Sequence, residues 1–434
     1  MNIGNKLIGR ARILLCLTVA SAAAGGCANG SAPAGGVDVA IEQELRSQLE
    51  EFVEEGLMPG AVTLIADNDD VLSRVVVGYQ DVAESKPMTE RTIFRLYSMS
   101  KPITSVAIMM LVEENRLELD GRVDDILPEF RNMRVYESGT LEDMTTVPAA
   151  RPISIRDLLL HEAGITYHFT GTTPVHAYYR KYGVMRDTPV GRTPEDGEPA
   201  RSLDELVKRL GEAPMLYHPG TQFAYSYSTT VLGAVIERVS GQSLDQFLDE
   251  RIFAPLGMPD TGFFIEDSQL DRFVTNYMMT ESGIREIESP ENSDYRDHSR
   301  LLDGGGAIAG TADDYLRFAR MLANGGELNG IRLLSRQSVE EMFEPQTVIK
   351  GLGPELGFGF GFAIGDEHTA ELGYIPSGWV SWSGSGNTFF WVDPGKGRVV
   401  VFMTQVITPP PFQEDALRFR KVVQNAADEL YQGL

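Results

Sequence analysis

Residues 94–112, Phe-Arg-Leu-Tyr-Ser-Met-Ser-Lys-Pro-Ile-Thr-Ser-Val-Ala-Ile-Met-Met-Leu-Val, constrain this chain more than any other stretch. Ile103, Val106, Ala107, Met110 and Leu111 recur at helical spacing, and Ile108, Met109 and Val112 make the remaining faces apolar too. A helix apolar all round belongs in the core of a sizeable protein. Pro102 fits a first turn but not a helix interior, which predicts a start close to Ser98. Ser98 and Lys101, three apart, then stack on one face one turn apart. The expectation is a central buried helix with Ser98 at its N-terminal mouth.

A hydroxyl and an amine so placed can share a hydrogen bond, as a nucleophile and its activating base require. Free backbone N–H groups and the positive end of the helix dipole favour negative charge at Ser98. A neutral lysine can take the serine proton, and a charged one cannot. The same residues also describe an N-cap serine beside a solvated first-turn lysine. Ser-x-x-Lys alone is too short to decide.

At 434 residues the chain has room for one large domain or two moderate ones. Residues 1–26 read as an export signal, with Lys6, Arg10 and Arg12 ahead of an apolar run, Ile13 to Ala20, too short to span a bilayer. The small residues Ala22-Ala-Ala-Gly-Gly before Cys27 resemble a bacterial lipobox, although Ala24 stands where leucine is commoner. The expectation is a lipoprotein lipidated at Cys27, in the periplasm or cell envelope, with residues 27–37 as a flexible tether. Ordinary cleavage near Ala24 is the alternative. Cys16 leaves with such a signal, so Cys27 alone remains, which rules out an intrachain disulfide and a cysteine nucleophile in the folded body. The formal charge of −24 falls near −27 once the three basic residues of the signal are removed. So acidic a surface argues against nucleic acid and anionic lipid as partners.

Residues 38–56 carry a helical pattern through Ile41, Leu45, Leu49, Phe52 and Val53. Ala61–Ala66 and Val71–Val77 read as a hairpin about Asp67-Asn-Asp-Asp70. Residues 120–135 read as loop and short helix. His161 lies within a helical run, Ile153–Gly164, that Gly164 ends, and is read as a satisfied core histidine rather than a catalytic one. Residues 165–200 are too long for a plain connection and suit a cleft cover. Residues 203–210 and 229–250 read as helical, and 266–303 as mostly polar and irregular. Gly304–Gly310, which leads into a helix at Ala312–Asn324, serves either ligand contact or close packing. Phe358–Ile364, Asn387–Val392 and Arg398–Thr404 read as strands, the last two joined through Asp393-Pro-Gly-Lys-Gly397. A closing helix spans 413–431. Strands at both ends with helices between predict one sheet assembled from both termini: 38–125 and 304–434 as an α/β domain, 126–303 as a mainly helical one. The site is expected in the cleft between them.

Two further stretches bear on chemistry. Pro219–Gly233 puts Tyr225 and Tyr227 just before a helix, where a tyrosine near a lysine can relay a proton. The pair also reads as aromatics packing at a helix start. Trp382-Ser383-Gly384-Ser385 offers a strand edge of small residues whose N–H groups, with that of Ser98, can form an oxyanion hole. It equally reads as a turn between strands.

Together the three stretches resemble the serine β-lactamase and penicillin-binding superfamily, nearest its class C branch and the family VIII carboxylesterases. The resemblance covers most of residues 40–430 in the family's order. It implies a β-lactamase-like fold: a mixed antiparallel sheet flanked by helices, with an all-helical insertion. It further implies Ser98 as acylated nucleophile, Lys101 as its partner, Tyr225 as general base, and Ser98 and Ser385 as oxyanion donors. The departures concern substrate. Tyr227 stands where the lactamase pattern has asparagine, and Trp382-Ser383-Gly384 stands where it has Lys-Thr-Gly, so neither the amide partner nor the cation is present. Tyr227, Trp382, Ser383 and Gly384 are expected to line the substrate site and to favour neutral acyl compounds.

The resulting expectation is an exported serine hydrolase cleaving carboxylic esters, with a small-molecule substrate, no cofactor and no metal. The membrane would be reached only through Cys27, and the sequence does not define an oligomeric state. The alternatives are a β-lactamase or D-Ala-D-Ala carboxypeptidase and, from another class, a non-catalytic acyl-binding protein. No His-Glu-x-x-His or Gly-x-Ser-x-Gly occurs.

Overall fold

The computed structural model describes residues 35–188, 192–351, 353–410 and 412–433. The expected export signal and Cys27 lie outside the described residues. Helix α1 (Gly35–Glu54) begins inside the stretch expected as tether. Once the turns at Leu45 and Leu49 are packed, adding earlier residues is propagation rather than nucleation.

The body is a nine-stranded antiparallel sheet. Its strands are β1 (Gly60–Ala66), β2 (Val71–Asp81), β3 (Lys86–Pro87), β4 (Thr347–Ile349), β5 (Leu356–Phe358), β6 (Ala363–Ile364), β7 (Val380–Ser383), β8 (Phe389–Asp393) and β9 (Arg398–Met403). They run in the order β4-β5-β6-β7-β8-β9-β1-β2-β3. The seam between the two ends of the chain is the β1–β9 ladder, Val62 opposite Met403 and Ala66 opposite Val399. β1 is buried at every position, which is why its sequence shows a continuous apolar run instead of alternation.

One face of the sheet is covered by α1 and a closing helix, Gln413–Gln432; Phe52 meets Phe419 edge-on at 5.0 Å between ring centroids. The other face packs on the helix Ala312–Ala323, where Tyr315 meets Phe390 at 5.0 Å. Behind that face runs α2 (Ser100–Glu113), buried from Ser100 to Leu111 as its all-round apolar pattern requires. α2 packs in turn on the helix Ser228–Ser240. Among the described residues no helix is long and apolar enough to cross a membrane.

Four local expectations need correction. The run 229–250 is not one helix: it ends at Ser240, where Gly241 turns at φ +78°, and a separate helix follows at Leu244–Leu248. The run Phe358–Ile364 is not one strand: it breaks between β5 and β6 at Gly361, whose φ of +92° and closeness to Ser105 admit no side chain. Residues 266–303 are not irregular throughout. They hold a hairpin, Asn276–Thr280 with Gly283–Glu288, whose first strand pairs in parallel with Val406–Ile407. Its Glu288 closes a buried ion pair with Arg95 at 3.0 Å, so a charged residue that looks like loop is structural. Finally, the α-helix starts at Ser100, with Ser98 inside a preceding 3₁₀ turn, Tyr97–Met99.

Candidate active site

Ser98 sits in a turn that its neighbours force. Tyr97, just before it, adopts φ +48°, a left-handed conformation that costs an L-residue about 1–2 kcal/mol. The Tyr97 hydroxyl accepts a hydrogen bond from Asn276 at 2.7 Å, and its ring lies against Gly386. These contacts hold the turn so that Ser98 projects from the end of α2 into a cavity.

Two side chains converge on Ser98 Oγ. Lys101 Nζ lies 3.1 Å away and the Tyr225 hydroxyl 2.7 Å away. Lys101 is 1% exposed and has no salt bridge among the described residues. It donates instead to the Gly305 carbonyl at 2.6 Å and lies 4.7 Å from the centre of the Tyr225 ring. A lysine nitrogen held by one carbonyl between the rings of Tyr225 and Tyr167 remains free to serve the serine oxygen. The solvated-lysine reading is thereby excluded.

The Gly305 carbonyl is itself positioned. Asp303 accepts the Gly305 N–H at 2.8 Å and the Thr230 hydroxyl at 2.6 Å, while Arg186 faces its other oxygen at 3.4 Å. Ser100 and Thr104, on the same side of α2, bond the Ile308 N–H and the Gly304 carbonyl. Of the glycines from 304 on, Gly304 packs on Thr104, and Gly305 and Gly306 line the cavity. Neither Asp303 nor Arg186 is marked by the sequence. Both lie in polar stretches, and their only signal is burial.

Tyr225 and Tyr227 part company. Tyr225 is half-buried at the cavity, whereas Tyr227 is 2% exposed with its hydroxyl 2.8 Å from His168 Nδ1. Burial pushes the Tyr227 phenol well above its ordinary range, which keeps its proton on. His161 lies beneath the Tyr225 ring, centroids 5.1 Å apart, with Nδ1 3.0 Å from Ser226. Burial, then the nearby Lys101, pushes its imidazole well below the usual range. It is a neutral packing residue, in keeping with its reading as a core histidine.

The fourth wall is the end of β7. Trp382 tilts against Tyr225 at 5.9 Å and Phe358 at 5.3 Å. Ser383, Gly384 and Ser385 line the cavity. A side chain on Gly384 would come within 2.3 Å of the Leu96 carbonyl, so only glycine lets the strand reach the turn that carries Ser98. Among the described residues the Ser385 N–H finds no acceptor. The cavity measures about 590 Å³ and is mainly apolar, walled by Tyr167, Phe169, Ile349, Leu356 and Trp382. Tyr167, Phe169 and Arg186 come from the long 165–200 segment, which thus does cover the cleft.

A family model described as β-lactamase matches residues 45–424. Esterase EstB of Burkholderia gladioli is 30% identical over 387 residues, spanning 85% of this chain and 89% of EstB. The structure of EstCE1, described as a hydrolase with promiscuous acyltransferase activity, superposes with a TM-score of 0.74 at 29% identity, covering 90% of this chain and 99% of its own. A family VIII carboxylesterase structure, 20% identical and covering 91% of this chain and 98% of its own, shares the fold with a TM-score of 0.65. A match of this length, on a sheet built from both chain ends around Ser98, means that the chain belongs to the β-lactamase family and is a serine hydrolase.

Proposed function

We propose that the protein hydrolyses carboxylic esters through an acyl-enzyme on Ser98. The observation that carries this reading is the single oxygen, Ser98 Oγ, within hydrogen-bond reach of both Lys101 and Tyr225. The Tyr225 phenolate, supported by the charge of Lys101, takes the Ser98 proton as Oγ attacks the ester carbonyl. The tetrahedral oxyanion is received by the Ser98 and Ser385 N–H groups, each such donor being worth about 3 kcal/mol. As the intermediate collapses, Tyr225 returns the proton to the departing alkoxide. Water, deprotonated by the same group, then releases the acid and restores Ser98.

An ester is favoured over a lactam or peptide because Tyr227 has no carboxamide to offer a substrate amide. Its hydroxyl is also engaged by His168. The mainly apolar cavity suits an acyl chain, and EstB, described as an esterase, is similar over most of this chain. Residues 1–27 support export and lipid anchoring at Cys27 as part of the proposal.

Initial rates on 4-nitrophenyl butyrate test it. The wild-type protein turns the ester over, Ser98→Ala loses roughly 10⁴-fold or more, and the intact mass of quenched enzyme gains one butyryl group on Ser98. Full activity in Ser98→Ala would place the nucleophile elsewhere. Turnover of a cephalosporin with none of the ester would favour the lactamase reading.

A further inference from the structure

The Trp382-Ser383-Gly384 segment supplies no cation, but the closing helix does. Arg420 lines the same cavity as Ser98 and is 7% exposed. Its guanidinium carbon lies 4.4 Å from the centre of the Phe389 ring and 5.0 Å from that of Tyr374. Among the described residues it meets no carboxylate and no hydrogen-bond acceptor. Contact with two rings offsets part of the cost of burying the charge, but leaves its N–H donors unused. Burying an arginine without an anion is expensive, and the fold has a second arginine in this cavity, Arg186, to which it does supply one.

Ser98 and Arg420 are linked through β7. Phe389 pairs with Ser383 across the β7–β8 ladder, and Gly384 abuts the Leu96–Tyr97 backbone. Ser98 and Arg420 line one cavity, and residues from both faces of the end of β7, Ser381, Trp382 and Ser383, line it between the two sides of the sheet. Because Ser98, Ser385 and Arg420 all line this cavity, a ligand whose carbonyl lies at Ser98 can extend within it toward Arg420.

We infer that the preferred substrate is an ester with a free carboxylate remote from the scissile bond, and that Arg420 seats that carboxylate. A planar carboxylate matches the fork of donors that Arg420 leaves open. The inference rests on the proposed ester hydrolysis, and it reverses the expectation, drawn from the missing lysine, that neutral substrates are preferred.

Two chain-matched substrates test it, 4-nitrophenyl octanoate and mono-4-nitrophenyl suberate. The wild-type protein is expected to favour the suberate in kcat/KM. Arg420→Met should lower the suberate-to-octanoate ratio by about tenfold or more, the range of a charge-assisted hydrogen bond, and Arg420→Lys should restore part of it. A ratio unmoved by Arg420→Met, or equal losses on both esters, overturns the inference. Calorimetry separates it from the identity of the nucleophile. Monomethyl suberate should bind Ser98→Ala protein at least about tenfold tighter than the Ser98→Ala, Arg420→Met double variant. Equal binding overturns the carboxylate seat whether or not Ser98 is acylated.

Discussion

Two tyrosines two residues apart show how far local environment, rather than residue type, decides chemistry. Tyr225 reaches Ser98 Oγ at 2.7 Å from a half-buried position, while Tyr227 is sealed against Tyr167 and His168 with its phenol pushed up by burial. On the proposed mechanism, Tyr225→Phe removes the group that moves the proton. It should cost about 10²–10⁴-fold in kcat on an aryl ester, the range of general-base catalysis. Tyr227→Phe loses one buried hydrogen bond, worth about 1 kcal/mol of stability, and should retain most of the turnover. Rates and thermal midpoints of the two variants check this, and equal losses in kcat would undo the assignment of the base. Ser98, Lys101 and Tyr225 are legible in the sequence because a spacing of three and a position before a helix are local features. Asp303, Arg186 and Arg420 are not. Each acts through contacts with residues far along the chain, and such contacts leave no periodicity or motif behind.

At the scale of elements, the site is a junction of three pieces: the 3₁₀ turn before α2, the glycine stretch from Gly304, and the free end of β7. What joins them is close backbone approach, so the joints are glycines. Gly384→Ala would place a methyl 2.3 Å from the Leu96 carbonyl and 2.4 Å from the Thr388 hydroxyl. The strand end must move away from Ser98, taking the Ser385 N–H with it. Displacement on that scale should slow acylation by about 10²-fold, while overpacking costs only about 1–3 kcal/mol of stability. Rapid-quench measurement of the acylation step distinguishes this from simple unfolding, and an unchanged acylation rate would remove Ser385 from the oxyanion hole. The long helices at the two ends of the chain, α2, the helix Ala312–Ala323 and the two long hairpins of the sheet are open to sequence reasoning, since burial imposes a period on each; the short helices Pro174–Lys181 and Arg336–Phe343 are not. The break at Gly361 and the hairpin at 276–288 were hidden. One depends on Ser105 of α2, more than two hundred residues away, and the other on a partner strand, Val406–Ile407, supplied by the far end of the chain.

The molecule as a whole carries strong negative charge, and one of its carboxyls titrates in a definite pH window because it is buried. Asp314 lies near the start of the helix Ala312–Ala323 and accepts from the Asp260 N–H and the Thr261 hydroxyl. Burial, outweighing those bonds, pushes it up to about 6. Between the ordinary aspartate range and about pH 6 the folded protein therefore holds a proton that the unfolded chain has released, so stability falls as pH rises through that window. Above it the penalty is constant. Replacement by asparagine removes the titration and leaves an oxygen to accept the same bonds. Relative to wild type, Asp314→Asn should thus gain roughly 1–3 kcal/mol on going from pH 5 to pH 7. Urea denaturation at the two pH values measures it, and a gain in the opposite direction would show that Asp314 is not held protonated.

The seam between the two ends of the chain also has a consequence in time. A ribosome delivers Ser98 and Lys101 early, Tyr225 and Gly305 later, and the strands that close the cavity last, with β9 needed to complete the central ladder beside β1. Until then the serine has no oxyanion hole and no finished sheet behind it. Any fragment released part-way carries Ser98 without the later residues that line its cavity. On the proposed mechanism, hydrolysis thus waits until β9 has been made and has paired with β1, and a chain held extended carries no activity.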